Sequence, residues 1–232
     1  MSIKKIAMIA IAGMILSGCV TSGTSLKPSE IKQIKKVALV SLNINNYSAF
    51  GMKGSIQPRL INSNVTKMLN FTEKALGKYW KVKPVRTFIK NKKYYNLSKG
   101  RANKRYFAPK VKGRTMPVFS KSNKEVIRGT LSKATAQKLC KTLKVDAVML
   151  VYTEWTLQTG RFVPITKALS KNCISMYVKS GKQFFYGRKD VLGKKPIGGA
   201  FVRAQINQKT ITQWVESYKT GLKFILKQNM KK

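Results

Sequence analysis

The chain has 232 residues and an ordinary hydrophobic fraction of 43%, enough for one substantial packed domain or two small ones. Its charge is not ordinary, because 47 lysines and arginines face seven acids, a formal net charge of +40. There is no histidine, which removes the commonest general base and the commonest metal ligand; no cysteine spacing suggests a metal site, so neither metal nor cofactor is expected.

Residues 1–18 have the layout of a secretory signal, with Lys4 and Lys5, an apolar stretch from Ile6 to Leu16, and then small residues. The stretch is too short to cross a bilayer as a helix. Leu16-Ser17-Gly18-Cys19 closely resembles the lipobox of bacterial lipoproteins. That resemblance implies cleavage before Cys19 and a diacylglyceryl thioether on its sulfur. Acyl chains contribute about 0.8 kcal/mol per buried CH₂, so several chains hold stably where one does not. Val20 stands where some lipoproteins carry an aspartate for inner-membrane retention, which favours the outer membrane, with the domain on its periplasmic or surface face. An ordinary signal with an incidental cysteine is the plainer alternative.

Residues 19–34 read as a lipidated tether, flexible through its Thr, Ser, Gly and Pro content, and 35–232 as an α/β domain. The apolar run Lys36 to Leu42 predicts a strand buried on both faces. From Leu60 to Leu76, Ile61, Val65, Met68 or Leu69, Thr72 and Leu76 mark one face of a helix. Lys81 to Phe88 alternates and predicts a short edge-like strand, since Pro84 cannot donate to a central ladder.

Residues 90–128 change character: "KNKKYYNLSKGRANKRYFAPKVKGRTMPVF" is rich in lysine and arginine, carries paired aromatics, and is followed by a single acid, Glu125. It is either a long basic excursion or a region folded on the domain surface. Ala136, Leu139, Cys140 and Leu143 mark the next helix, and Val145 to Tyr152, apolar but for Asp146, a second, central strand. A loop is expected around Gly160 and Pro164. A hairpin follows, turning at Ser180-Gly181, and Gly193, Pro196, Gly198 and Gly199 predict another loop. Ile211, Trp214 or Val215, Tyr218, Leu222 and Ile225 form the stripe of a closing helix, with a capping box at Thr210 to Gln213. The order β-α-β-α-β-β-β-α predicts a single two-layer or three-layer α/β domain with a mixed sheet.

Three pieces, "KVALVSL" at 36–42, "AQKLCKTLKVDAVMLVYTEW" at 136–155 and "CISMYVKSGKQFFYGRK" at 173–189, look like the small α/β domains of envelope lipoproteins. These are the curli-secretion type, the activators of peptidoglycan synthases, and the amino-terminal domain of the Tol-associated propeller protein. The resemblance covers under half of the chain, and the basic insertion departs from it. It implies binding of other envelope proteins in place of catalysis.

The charge and the insertion suggest a second reading, polyanion binding to lipopolysaccharide, wall polymer or extracellular DNA. Lys92, Lys93, Arg101, Lys104, Arg105, Lys110, Lys112 and Arg114 would meet phosphates, with Tyr94, Tyr95 and Tyr106 stacking or wedging. The bland alternative, favoured for the aromatics, is that they pack the segment onto the domain and the lysines are solvated. Cys140 and Cys173 allow a disulfide in an oxidising envelope, and two buried thiols equally well. For a third reading, a glycan-cleaving enzyme, Glu154 is the one candidate acid, at the carboxyl end of a central strand, although hydrolases usually need two carboxylates. No small-molecule substrate is evident, and a non-enzymatic envelope component is expected.

Overall fold

The computed structural model describes residues 21–24, 28–45, 58–98, 106–120, 122–199, 204 and 206–230; the signal sequence and Cys19 lie outside them. In chain order the elements are β1 (Thr21–Thr24), α1 (Pro28–Lys32), β2 (Lys36–Asn45), α2 (Pro58–Leu76), β3 (Lys81–Val82), α3 (Val85–Phe88) and α4 (Lys92–Asn96). They continue as β4 (Tyr106–Phe107), β5 (Lys110–Val111), β6 (Arg114–Thr115), α5 (Asn123–Ile127), α6 (Lys133–Leu143), β7 (Ala147–Thr159), β8 (Ile165–Val178), β9 (Gln183–Gly199) and α7 (Ile211–Met230). The main sheet runs β1-β9-β8-β7-β2-β3, with β4 also pairing β2. β2 is parallel to β3 and β7, and the other pairs are antiparallel, so the sheet is mixed, as the alternating order predicts. α/β is therefore the fold class.

β2 and β7 are interior strands of the sheet, and their apolar runs are buried because helices cover both faces. On one face α7 packs across β8 and β9 and against α2, where Thr72 Oγ1 and Tyr218 OH share a hydrogen bond of 2.6 Å. Trp214 stacks on Trp155 at 6.1 Å, and its indole N–H donates to the Thr156 carbonyl at 2.9 Å. The helix comes close because the sheet and helix each give up a side chain at the crossing. A Cβ at Gly221 would collide with Asn172, and one at Gly187 with Ile225. Asn172 belongs to a buried network in which the Thr153 and Ser170 hydroxyls donate to its Oδ1 at 2.9 and 2.8 Å, while its amide donates to the Lys189 carbonyl at 3.0 Å. This network is satisfied, which a buried polar cluster requires.

The opposite face carries α3, α4, α5, α6 and the other described parts of the basic segment. A register shift between Leu39 and Ser41 leaves Val40 out of the β2–β7 ladder. Tyr94 of α4, fully buried, donates its hydroxyl to the Val40 carbonyl at 2.8 Å. Its ring packs edge-on to Phe88 at 4.9 Å and against Phe119 at 5.4 Å. The described part of segment 90–128 is thus folded on the domain, its interior formed by Tyr94, Met116, Val118, Phe119 and Val126.

Several expectations give way. β3 stops at Val82; Val85–Phe88 is a helical turn burying Val85 and Phe88, and Glu73 of α2 accepts from the Val85 N–H at 2.7 Å. The loop expected at 193–199 is strand, because β8 runs from Ile165 and gives that stretch a partner. The ladder adapts to Pro196 with register shifts beside Lys167. Within the stretch 19–34, Thr21–Thr24 pairs with β9 and Pro28–Lys32 is helical, because β9 offers an edge to be covered. Gln213 does not complete a capping box; its side chain accepts from the Lys195 N–H at 3.0 Å and ties α7 to β9.

Candidate functional site

The carboxylates show how few of the acids are spare. Asp146 accepts from the backbone N–H groups of Lys35 and Lys36 at 3.0 and 2.8 Å, and so fastens the start of β2 to β7. Glu216 pairs with Lys219 at 2.6 Å, and Glu30 with Lys182 at 3.6 Å. Burial raises the Glu73 carboxyl above its ordinary value, while its bond from Val85 N–H opposes this. These four acids are structural.

Glu154 stands elsewhere, on the sheet face away from α7. The register places Glu154, Lys171 and Asp190 side by side on adjacent strands, with Tyr152, Cys173 and Arg188 in the next row. Glu154 pairs with Lys171 at 3.2 Å and Asp190 with Arg188 at 3.3 Å. Side chains of Arg128, Tyr152, Glu154, Lys171, Tyr186 and Arg188 line a cleft of about 170 Å³ whose floor includes Cys173. That is below the ~300 Å³ of the smaller ligand sites and far too small for a glycan. Asp190 supplies the second carboxylate that the sequence reading lacked, two strands from Glu154, but Lys171 fills the register position between them.

Burial pushes the Cys173 thiol up to about 11, and Tyr186 up to about 12. Tyr152 is likewise raised by burial. At neutral pH these groups are protonated, and the cleft is lined by neutral phenols, a neutral thiol, the Glu154–Lys171 ion pair and the cations of Arg128 and Arg188. Three cations and one carboxylate line it, and Lys171 and Arg188 are both engaged in ion pairs. Cys140 is buried in α6, its thiol pushed up to about 12 by burial; both it and Cys173 are free thiols. The possible bridge is absent because Cys140 packs in the main core and Cys173 in a separate small cluster with Val118, Val126 and Tyr152.

The predicted polyanion residues divide sharply. Tyr94 is core and cannot stack on a ligand. Tyr106 packs edge-on to Tyr152 at 5.9 Å. Tyr95 donates its hydroxyl to the Thr115 carbonyl at 3.3 Å and lies under the Arg114 guanidinium at 5.5 Å, which joins α4 to the β5–β6 hairpin. Lys92, Lys93, Lys110, Lys112 and Arg114 are exposed. The hairpin turns at Lys112 and Gly113, both at positive φ (48° and 80°), and presents its cations outward. Arg101, Lys104 and Arg105 lie outside the described residues. The aromatics therefore hold the segment down, and the cations face solvent.

No helix among the described residues is long and apolar enough to cross a membrane. No family model matches the chain, and no curated protein matches it. Among solved structures it is similar to the PelC dodecamer from Paraburkholderia phytofirmans, at 10% identity over 91% of this chain and 96% of that one, TM-score 0.40. It is also similar to the hypothetical protein CT253 from Chlamydia trachomatis, at 10% identity over 84% and 95%, TM-score 0.42. Lipoprotein GNA1162 from Neisseria meningitidis matches at 10% identity over 86% and 99%, TM-score 0.37.

Proposed function

We propose that this chain is a lipid-anchored component of a bacterial cell envelope that works by binding and assembly, not by catalysis. The observation that carries the reading is Leu16-Ser17-Gly18-Cys19, placed directly after a charged and then apolar leader. Cys19 stands two residues before Thr21, where the chain joins the sheet, so an acyl anchor holds the domain close against the bilayer. The envelope has outer-membrane character, with Val20 after the cysteine. The partner is an envelope protein met by the α/β surface. Binding without catalysis is supported by the cleft, whose one carboxylate, Glu154, is engaged in an ion pair with Lys171.

Intact-mass measurement of the membrane fraction tests the anchor. Acylation of the wild type and its loss in Cys19→Ala support the reading; a wild-type protein that carries no acyl mass at Cys19 contradicts it. A second reading, polyanion binding, is favoured by the five exposed cations of the basic segment. It predicts affinity for an anionic polymer that falls by orders of magnitude between low and physiological salt. Glycan cleavage is tested by wall material: release of soluble fragments that Glu154→Gln abolishes would overturn the non-enzymatic reading.

A further inference from the structure

β7, β8 and β9 continue a few residues past the start of α7, where Trp214 meets Thr156 and Gln213 meets Lys195, and the connection between β7 and β8 forms a tip at residues 160–164. The tip is built, not slack. The Gly160 N–H donates to the Ile165 carbonyl at 3.1 Å, the Ile165 N–H donates to the Val163 carbonyl at 2.7 Å, and a Cβ at Gly160 would collide with that Val163 carbonyl. This turn holds Phe162 with 94% of its surface exposed and Val163 with 58%; Ile165 at 40% and Leu192 at 38% continue the apolar surface down the hairpin. Among the described residues Phe162 is the most exposed large hydrophobic side chain. A single exposed apolar residue needs no explanation, but a phenyl ring held out at the end of a projecting hairpin, with a second and third apolar residue beside it, does.

Charge decides what covers it. Arg161, Lys194 and Lys195 are exposed around the tip, and Lys167 is half-exposed. No acid occurs from Trp155 to Lys189 or from Val191 to Val215. A convex apolar point with a cationic collar matches an anionic bilayer surface: the ring and aliphatic groups enter the acyl boundary while the cations remain at head-group level. The register agrees. Thr21 pairs with Arg188 and Thr24 with Phe185, so the chain upstream of Thr21 leads toward the Gly199 end of β9, where Ile165 pairs at the base of the tip. The eleven residue-to-residue steps from Arg188 to Gly199 span on the order of 35 Å, more than the two residues back to Cys19 can reach.

We infer that the Phe162 hairpin tip is a second membrane contact, which inserts into an anionic bilayer interface. Tip and amino-terminal anchor then meet one bilayer with the strands slanted along its surface. The inference extends the anchored reading without depending on it, since the tip's apolar and cationic groups are its own.

The test places an environment-sensitive fluorophore on Phe162→Cys in the full chain and adds vesicles of phosphatidylcholine with phosphatidylglycerol. A parallel label on Lys112→Cys serves as control. The expected result is a blue shift and brightening at position 162, quenched by a quencher buried in the acyl region, with position 112 unchanged. Phe162→Ser with Val163→Ser should weaken vesicle binding about tenfold or more relative to the otherwise identical chain. A label at 162 that stays in water on vesicles carrying the protein would overturn the inference, and so would a blue shift without vesicles, which marks association between copies. Pure phosphatidylcholine vesicles separate the parts: equal insertion there removes the role given to the cations. The label reports position 162 alone, and acylation of Cys19 is read separately by mass, so either reading can fail without the other.

Discussion

The two faces of the central sheet are built in different ways. Under α7 the contact is closed: paired tryptophans, glycines at the crossing, and a polar trio whose hydrogen bonds are made within the sheet. Under the basic segment short helices, a two-stranded ribbon and irregular chain cover the sheet, and a cleft lined by the Glu154–Lys171 ion pair remains. The first face specifies the fold, because a helix lying that close accepts only the side chains that are there. The second meets its packing needs with a few aromatic anchors and leaves its cations to solvent, so its surface is open to variation without loss of the core. Function is expected on that second face and along the projecting hairpin.

The contrast is broken most strongly from the α7 side. Trp214→Ala removes a fully buried ring stacked on Trp155 and should cost about 3–5 kcal/mol in denaturant unfolding. Gly221→Ala, which adds a single methyl, should cost about 1–3 kcal/mol by forcing α7 away from Asn172. A Gly221→Ala protein with unchanged stability would show that the close crossing is not needed.

On the other face Tyr94→Phe keeps the ring and removes the bond to the Val40 carbonyl. The orphaned bulge carbonyl should cost about 1–3 kcal/mol, while Lys92→Gln and Lys93→Gln on the same short helix change stability by less than about 0.5 kcal/mol. This separation within one turn of helix sharpens the distinction between anchors and solvated charges.

Alkaline pH gives a further comparison. Cys140 and Cys173 have folded values of about 12 and about 11 against an ordinary 9.0, both through burial. The folded state thus holds protons that the unfolded chain releases above pH 9. Their contribution is fully present below pH 9 and is lost as pH rises through 11 to 12, so thermal stability should fall over that window. Replacing both by serine, or by alanine, should flatten the part of the curve they cause. At pH 7.5 neither thiol should react with a maleimide unless the protein unfolds.

The smallest expected effect concerns backbone strain. Lys144 ends α6 in the left-handed region (φ 52°), and its N–H is bonded to the Cys140 and Lys141 carbonyls. Lys144→Gly should raise stability by about 0.5–1 kcal/mol, read as a higher Tm.

Elements whose signal is local were legible in the sequence. β2 and the start of β7 show themselves as apolar runs, α2 and α7 as stripes, and the Ser180-Gly181 turn as a hairpin. What stayed hidden depends on partners far along the chain. Val85–Phe88 looks like a strand until Glu73 caps it, and the glycines at 193–199 look like a loop until Ile165 and its neighbours pair with them. Tyr94 is the clearest case at the candidate site. In sequence it sits among lysines like a stacking residue, yet a bulge 54 residues earlier decides its role. Asp190 became a neighbour of Glu154 only through a three-strand register, and the exposure of Phe162 follows from the length of a hairpin that periodicity had cut short.

The central claim is that an anchored α/β surface, not the charge by itself, selects the partner. The direct measurement is a crosslinked pull-down of the full-length protein from its own envelope at moderate salt. A parallel sample carries glutamine at Lys92, Lys93, Lys110, Lys112 and Arg114. The account predicts one and the same protein partner in both samples. Recovery of only lipopolysaccharide, wall polymer or DNA, lost when the five cations are removed, would contradict it and make the charge the function.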